Sequence, residues 1–419
     1  MRLIADLHIH SRFSRATSEH MDLAHLSASA KTKGIGLLGT GDFTHPEYSR
    51  ELKRNLEQLP NGLYRHLGIL FMPTAEISCI YSKNGVKRIH LCICAPSLEA
   101  AAQINDLLAK KGNLASDGRP IFGASAPEIT ELVMSVDDNC FVYPAHAWTP
   151  WYSVFGSESG FDSMEECFED QVKHIHALET GLSSDPPMNW RLSALDKYCL
   201  LSNSDSHSPQ KIGREANVFE FNETEISYKS IIAAIKSKDK SHFKFTVEFF
   251  PEEGKYHWDG HRNCNIHIPP TEARKYNNIC PACRKPLTIG VLHRVEELAD
   301  RPEGSKPPSA IPFIHAIPLL EIIASALGVG ESTKTAREEY EKIIARFGTE
   351  FDTLTSAKPN ELHEAANEKV AEGILRVREG KVRLDPGYDG VYGRISIFGD
   401  EKKEDVSRSS GQKGLGDFF

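Results

Sequence analysis

The sequence predicts an α/β fold: barrel-like βα units, then a small metal-stapled module and a helical C-terminal region. Three observations carry this. Short apolar runs alternate with amphipathic stretches from Met1 to about Phe221, the pattern of strands joined by crossover helices in a mainly parallel sheet. Residues able to bind metal fall at or directly after those runs, at the carboxyl ends of barrel strands, where one site can collect side chains from the whole chain. Finally, Cys264, Cys280 and Cys283 are spaced as ligands, whereas the other six cysteines are scattered and mostly lie in apolar runs.

Taken in order, the apolar runs lie at 3–5, 35–38, 69–71, 89–91, 141–143, 177–179 and 200–202. The polar residues that accompany them are Asp6, His8 and His10, then Asp42 and His45, Glu76, His90, His146, Glu179, and last Asp205 with His207. Residues 1–221 therefore read as one α/β domain. Residues 222–301 have few long periodic runs and hold the organised cysteines, so they read as a zinc-binding module. A Pro-rich linker at 302–308 opens the region 302–398, where apolar periodicity at 319–327, 336–347 and 361–378 predicts helices and 394–398 a final strand. Residues 399–419 form a polar tail expected to be disordered.

A chain of 419 residues suits two or three domains. Its 40% hydrophobic and 26% charged residues exclude disorder throughout. No run of eighteen apolar residues occurs, so the expectation is no membrane partner and a cytoplasmic location. The net charge of −9 argues against gripping nucleic acid through a bulk positive field. Between Lys229 and Lys306, however, 14 basic residues face 10 acidic ones, a local surplus of four. The 18 histidines, many beside acidic residues, point to metal.

His8 and His10 stand at i and i+2 on an expected strand, so both imidazoles face one side and can share an ion. Asp205-Ser206-His207 repeats the alternation. His146, His90, Glu76 and His45 add further ligands of the right kinds.

These residues resemble the polymerase and histidinol phosphatase (PHP) phosphoesterases. Asp6-Leu7-His8-Ile9-His10-Ser11 looks like the first family motif, Gly39-Thr40-Gly41-Asp42 the second, Glu76 and His90 the third, and His146 with Asp205-Ser206-His207 the last. The resemblance implies a distorted seven-stranded (βα)7 barrel with two or three divalent ions, such as zinc, manganese, iron or magnesium, around a phosphate. It assigns His8, His10, Glu76 and Asp205 to one ion, and Glu76, His90 and His146 to a second. Many members carry Asp-His in the second motif where this chain has Asp42-Phe43. A third ion would fall to His45, His207 and Asp42, or its place would be partly empty. Glu179 either ligates directly or fixes the tautomer of an imidazole. His8, His10, Glu76, Asp205 and His207 form the expected catalytic set, and clustered cations of this kind support hydrolysis of a phosphate ester.

Arg12, Arg15, Lys211 and Arg214 lie close in sequence to the ligands, either to bind phosphate oxygens or as solvated charges. After His146 come four aromatics in eight residues, Trp148, Trp151, Tyr152 and Phe155. Phe155 reads as core; Trp148, Trp151 and Tyr152 either join it or offer a stacking platform for a base. His261, Cys264, Cys280 and Cys283 read as a four-ligand structural zinc site, with His257 and His267 as competitors for the histidine position. The last eight residues carry Gln412, Leu415, Phe418 and Phe419 in the pattern of the box by which DNA-acting proteins bind the sliding clamp PCNA.

Over nearly the whole chain these parts together resemble the endonuclease Q family of archaeal-type DNA repair enzymes. That implies cleavage, in double- or single-stranded DNA, 5′ to a deaminated base (hypoxanthine, uracil or xanthine) or to an abasic site. It also implies a place beside the nucleoid of an archaeal cell. Two alternatives stand beside it: a PHP phosphatase for a small monoester such as histidinol phosphate, and a non-catalytic scaffold tethered to the clamp.

Overall fold

The computed structural model describes residues 1–399, so the clamp-box residues Gln412, Leu415, Phe418 and Phe419 lie outside the described residues. Strand Arg2–Asp6 runs through the middle of an eight-stranded sheet. On one side it pairs parallel with Leu37–Gly39, which pairs parallel with Ile69–Met72, and the hairpin of Glu57–Gln58 and Tyr64–His66 closes that edge. On the other side it pairs antiparallel with Ala216–Glu220, followed by Phe243–Glu248 and Phe313–His315.

The expected boundaries need correction here. The sheet that begins at Arg2 takes strands from 243–248 and 313–315, so the borders drawn at 221 and 302 both cut through it. Phe313–His315 is only three residues long, and both strands adjoin segments whose cysteines and prolines dominate the local pattern.

Nor is the strand pairing mainly parallel. Thr74–Ser82 and Val86–Cys94 form a long antiparallel hairpin from Thr74↔Cys94 to Ser82↔Val86, flanked by Phe141–Pro144 and Ile121–Phe122. Its turn holds Asn84 at φ 51° and Gly85 at φ 110°, the left-handed geometry for which Asn-Gly is the favoured pair. A third sheet pairs Ala177–Glu179 parallel with Cys199–Leu201.

Alternation along the strands sorts side chains into two apolar layers. Leu3, Ala5, Leu7, Phe141, Tyr143, Ala177, Cys199 and Leu201 pack together in one cluster. Their neighbours Ile4, Val142 and Leu178 belong to the other, with Leu26 and Ala30 of helix Leu23–Lys33 and Ile129 and Val133 of helix Ala126–Val136. Those helices begin at strong caps: Asp22 accepts from the N–H groups of Ala24 and His25, and Ser125 with Glu128 forms a capping box.

In the C-terminal region, helices Leu319–Leu327, Lys334–Phe347, Glu350–Thr355, Pro359–Ala365 and Glu368–Arg378 pack around Ile322, Ile323, Ile343, Leu362 and Ile374. The expected single helix over 361–378 is two, divided where Asn367 caps the second. Lys211 joins this bundle to the sheet domain through Glu321 at 2.6 Å. Among the described residues no helix is long and apolar enough to cross a membrane.

Candidate metal centre

Segments that follow strands, carrying His8, His10, His146 and Asp205, converge on Glu76 and His90, which lie within the hairpin strands Thr74–Ser82 and Val86–Cys94. His8, His10, Glu76 and Asp205 bring one potential ligand atom each within 4.8 Å of one another, and Glu76, His90 and His146 do the same. Glu76 serves both groups with different oxygens. Its Oε2 lies 3.4 Å from His8 Nε2 and 3.1 Å from His10 Nε2. Its Oε1 lies 2.6 Å from His90 Nδ1 and 3.3 Å from His146 Nε2. Asp205 Oδ1 completes the first group, 3.1 Å from His10 Nε2 and 3.6 Å from His8 Nε2.

These donors fit divalent cations better than they fit one another. His8 Nε2 and Glu76 Oε1 are buried and make no hydrogen bond in spite of their close neighbours, an arrangement that is costly unless something else satisfies them. The far side of the rings is braced. His8 Nδ1 meets both oxygens of Glu179, at 3.1 and 3.0 Å. His10 Nδ1 meets Asp42 Oδ1 at 3.0 Å, and His146 Nδ1 meets Thr149 Oγ1 at 3.2 Å. Such backing fixes tautomers and raises ligand basicity.

Electrostatics agree. Burial opposes ionisation of Glu76, yet Arg119 and the imidazoles hold its carboxyl well below the usual range. Burial outweighs the neighbouring Glu76 at His90 and lowers it to about 4, whereas at His8, His10 and His146 the surrounding carboxylates overcome burial and raise the imidazoles, the pull of an acidic cage on positive charge. Asp42, His146 and Asp205 all adopt positive φ, at 44°, 29° and 45°. Left-handed backbone is uncommon outside glycine, though Asp and His adopt it more readily than most, and it concentrates where a site over-determines it.

Several expected ligands stand elsewhere. Asp42 is spent behind His10: its Oδ2 accepts from Ser11 N at 2.6 Å, Ser11 Oγ at 2.7 Å and Ser14 Oγ at 2.9 Å. His45 is stacked on Phe13 with ring centroids 4.4 Å apart. His207 lies beside the ring of His10 at 4.6 Å, a third exposed. Among the described residues, Asp42, His45 and His207 join no ligand group. Glu179 supports rather than joins the two groups around Glu76, although with His8 and Cys92 it forms a further compact triad.

The substrate-binding candidates separate as well. Trp148 is core: it is 1% exposed, packs on Phe155 at 4.7 Å, and donates from Nε1 to Asn189 Oδ1 at 2.8 Å. It offers no platform. Trp151 and Tyr152 are partly exposed. Tyr152 lies 4.7 Å from the ring of His90, and Trp151 meets Tyr256 edge-on at 5.4 Å.

Arg12 pairs with Glu51 at 2.7 Å, and Arg15 reaches Asp117 at 3.2 Å. Lys211 is held by Glu321 and Glu331, and Arg214 donates from Nε and Nη2 to Ser204 O at 3.0 and 2.8 Å, bracing the loop that carries Asp205. The cation nearest the cage is one that sequence reasoning passed over: Arg119, whose Nη1 lies 3.0 Å from Glu76 Oε2. It sits in an Asp117-Gly118-Arg119-Pro120 loop far in sequence from every motif.

Away from this centre, His261, Cys264, Cys280 and Cys283 form their own compact group. His257 is buried outside it, and His267 stacks on Tyr388 at 4.7 Å.

Comparison with known proteins places this geometry. The model of the MJ0043 C-terminal domain family matches residues 318–381. The uncharacterized protein MJ0043 of Methanocaldococcus jannaschii is 36% identical over 266 residues, 62% of this chain but 31% of that protein, so the match spans about a third of that relative's length. The uncharacterized protein YqxK of Bacillus subtilis is 31% identical over 414 residues, 94% of this chain and 99% of that one.

Among solved structures, the lesion-specific endonuclease PfuEndoQ from Pyrococcus furiosus is similar at a TM-score of 0.85 and 31% identity, covering 97% of this chain and 98% of its own. A complex of endonuclease Q with a 27-mer duplex substrate bearing an abasic lesion at the active site is similar at 0.84 and 31%, covering 97% and 99%. Because the likeness takes in the sheets, the cysteine module and the helical bundle alike, the chain belongs to the endonuclease Q family.

Proposed function

We propose that this protein is a DNA repair endonuclease that hydrolyses the phosphodiester 5′ to a deaminated base (hypoxanthine, uracil or xanthine) or to an abasic site. The observation that carries the reading is the pair of ligand groups sharing Glu76, in a chain similar along its length to an endonuclease solved with lesion-bearing duplex.

The family likeness, rather than the strand order, supports a distorted (βα)7 PHP barrel whose open end holds those groups. Bound there, two divalent ions of the zinc, manganese or magnesium type would neutralise the phosphate and make a water acidic enough to attack phosphorus near neutral pH. His8, His10, Glu76 and Asp205 would hold one, and Glu76, His90 and His146 the other. Asp42 and Glu179 keep the imidazoles of His10 and His8 aimed at the gap.

Reaching a lesion inside a duplex requires turning its nucleotide out of the stack, which costs less at damaged pairs. Tyr152, partly exposed beside His90, and Trp151, partly exposed against Tyr256, are suited to pack against the displaced nucleotide. The group of His261, Cys264, Cys280 and Cys283 fits a structural zinc that staples the module flanking them. A phosphatase for small monoesters has no use for that module or for the helical bundle.

The experiment uses end-labelled duplexes carrying hypoxanthine, uracil, an abasic site or no lesion, with Mg²⁺, Mn²⁺, Zn²⁺ or chelator, and histidinol phosphate in parallel. Nicks on the 5′ side of lesions that vanish with chelator are expected. Intact lesion strands beside hydrolysed histidinol phosphate would overturn the reading. The terminal box, Gln412 to Phe419, is proposed as a clamp-binding segment: its deletion is expected to remove binding to PCNA and leave basal nicking unchanged.

A further inference from the structure

The loop that carries Arg119 is built onto the metal-ligand cage from both ends. Gly118 N donates to Phe13 O at 3.0 Å, and Gly118 O accepts from Thr44 Oγ1 at 2.9 Å. A Cβ at Gly118 would fall 2.4 Å from both Asp42 Oδ2 and Ser14 Oγ, so only glycine lets the backbone lie against the carboxylate that braces His10. On the other side Pro120 O accepts from Ser78 N at 3.0 Å, which ties the loop to the strand bearing Glu76. Arg119 stands between these two anchors.

Its side chain is 30% exposed and donates from Nη1 to Glu76 Oε2. A guanidinium has five N–H donors in a planar fork, and among the described residues Glu76 is the one side chain to which this fork donates. The other cations expected near the site are committed elsewhere: Arg12 to Glu51, Arg15 to Asp117, Lys211 to Glu321, and Arg214 to a backbone carbonyl. A phosphodiester entering the cage brings two non-bridging oxygens that share one charge, the shape a guanidinium fork matches and an ammonium does not.

We infer that Arg119 is a catalytic residue that grips the non-bridging oxygens of the scissile phosphate and orients its phosphorus toward the ligand cage. The inference rests on the phosphodiesterase reading above. Its rival is a structural role, in which Arg119 only balances the charge of buried Glu76.

The full-length protein with its metals is compared with Arg119→Ala and Arg119→Lys by four measurements: metal per chain, melting temperature, inhibition by inorganic phosphate, and the dependence of abasic-duplex nicking on enzyme concentration. If Arg119 grips phosphate, both variants keep the metal content and the melting temperature of the wild type. Arg119→Ala then weakens phosphate inhibition about 10- to 100-fold, the usual worth of a charged hydrogen bond, and Arg119→Lys recovers part of that binding but less of the rate.

Unchanged phosphate inhibition in Arg119→Ala overturns the inference. So does loss of metal in Arg119→Ala that Arg119→Lys restores, since that is the behaviour of a counter-charge. A wild type that leaves abasic duplex intact, yet binds inorganic phosphate in an Arg119-dependent way, supports the grip and sinks the endonuclease reading instead.

Discussion

Glu179 sets both carboxylate oxygens against His8 Nδ1, at 3.1 and 3.0 Å, on the opposite side of the ring from Glu76. The same carboxylate accepts from His146 N at 2.8 Å and from Asn203 Nδ2 at 2.9 Å, so one side chain orients a member of each ligand group. Replacing it with Gln puts an amide where two acceptors are needed. Glu179→Gln is therefore expected to lower metal affinity about 10- to 100-fold, read by elemental analysis after dialysis against graded chelator. Retention of wild-type metal would show that the imidazoles hold their aim without it.

The cysteine module gives a second expectation. His261 Nδ1 lies 3.5 Å from Cys283 Sγ, and Cys280 is fully buried among Ala273 and Leu287. That apolar cluster is small, and a module with so little core depends on its metal for folding energy. Cys280→Ser should release one zinc per chain and expose the segment 255–290 to protease while the sheet domain stays resistant. Zinc content and a timed digest measure both.

What was legible in the sequence follows from physical range. His8-x-His10 was readable because extended backbone points alternate side chains the same way, although the strand ends at Asp6 and the two histidines follow it on a segment bridged to Ser206 through Ile9. The role of Asp42 was not, since a ligand and the brace behind a ligand are the same residue type, and only Ser11 and Ser14 closing on Oδ2 tell them apart. Arg119 left no local signal: its meaning comes from Gly118 and Pro120 being tied to residues far along the chain. Trp148 misled because an aromatic beside a ligand looks the same in sequence whether it faces the core or the cleft. The Asn84-Gly85 turn, by contrast, was a readable hairpin signal that the βα pattern obscured.

Deep in the sheet, Ala216 pairs with Val247, which sets Glu215 and Glu248 opposite one another on adjacent strands. Burial pushes Glu248 from its ordinary 4.5 up to about 8, and burial together with Glu248 pushes Glu215 well above its usual range. The folded state thus keeps protons that the unfolded chain releases. The stabilisation is whole below about pH 4.5 and drains away as pH rises toward 8. Urea midpoints at fixed metal concentration should fall across that interval, and Glu248→Gln should flatten the slope. An identical slope in the variant would place the proton elsewhere.

Trp148 and Trp151 stand three residues apart and should fail in different ways. Trp148 is 1% exposed and fills space against Phe155, so Trp148→Ala leaves a cavity and an unpaired Asn189 amide oxygen. A loss of about 3–5 kcal/mol in unfolding free energy is expected, with cutting reduced only as far as the folded fraction falls. Trp151 keeps part of its ring exposed and touches Tyr256 by an edge. Trp151→Ala should leave the urea midpoint nearly unchanged and weaken binding of a lesion duplex by about 1–3 kcal/mol, the worth of one stacked base. Fluorescence anisotropy on lesion and intact duplexes separates the cases: if Trp151 packs against the displaced nucleotide, the loss is confined to the lesion duplex, and an equal loss on both would reduce Trp151 to a general contact with the strand.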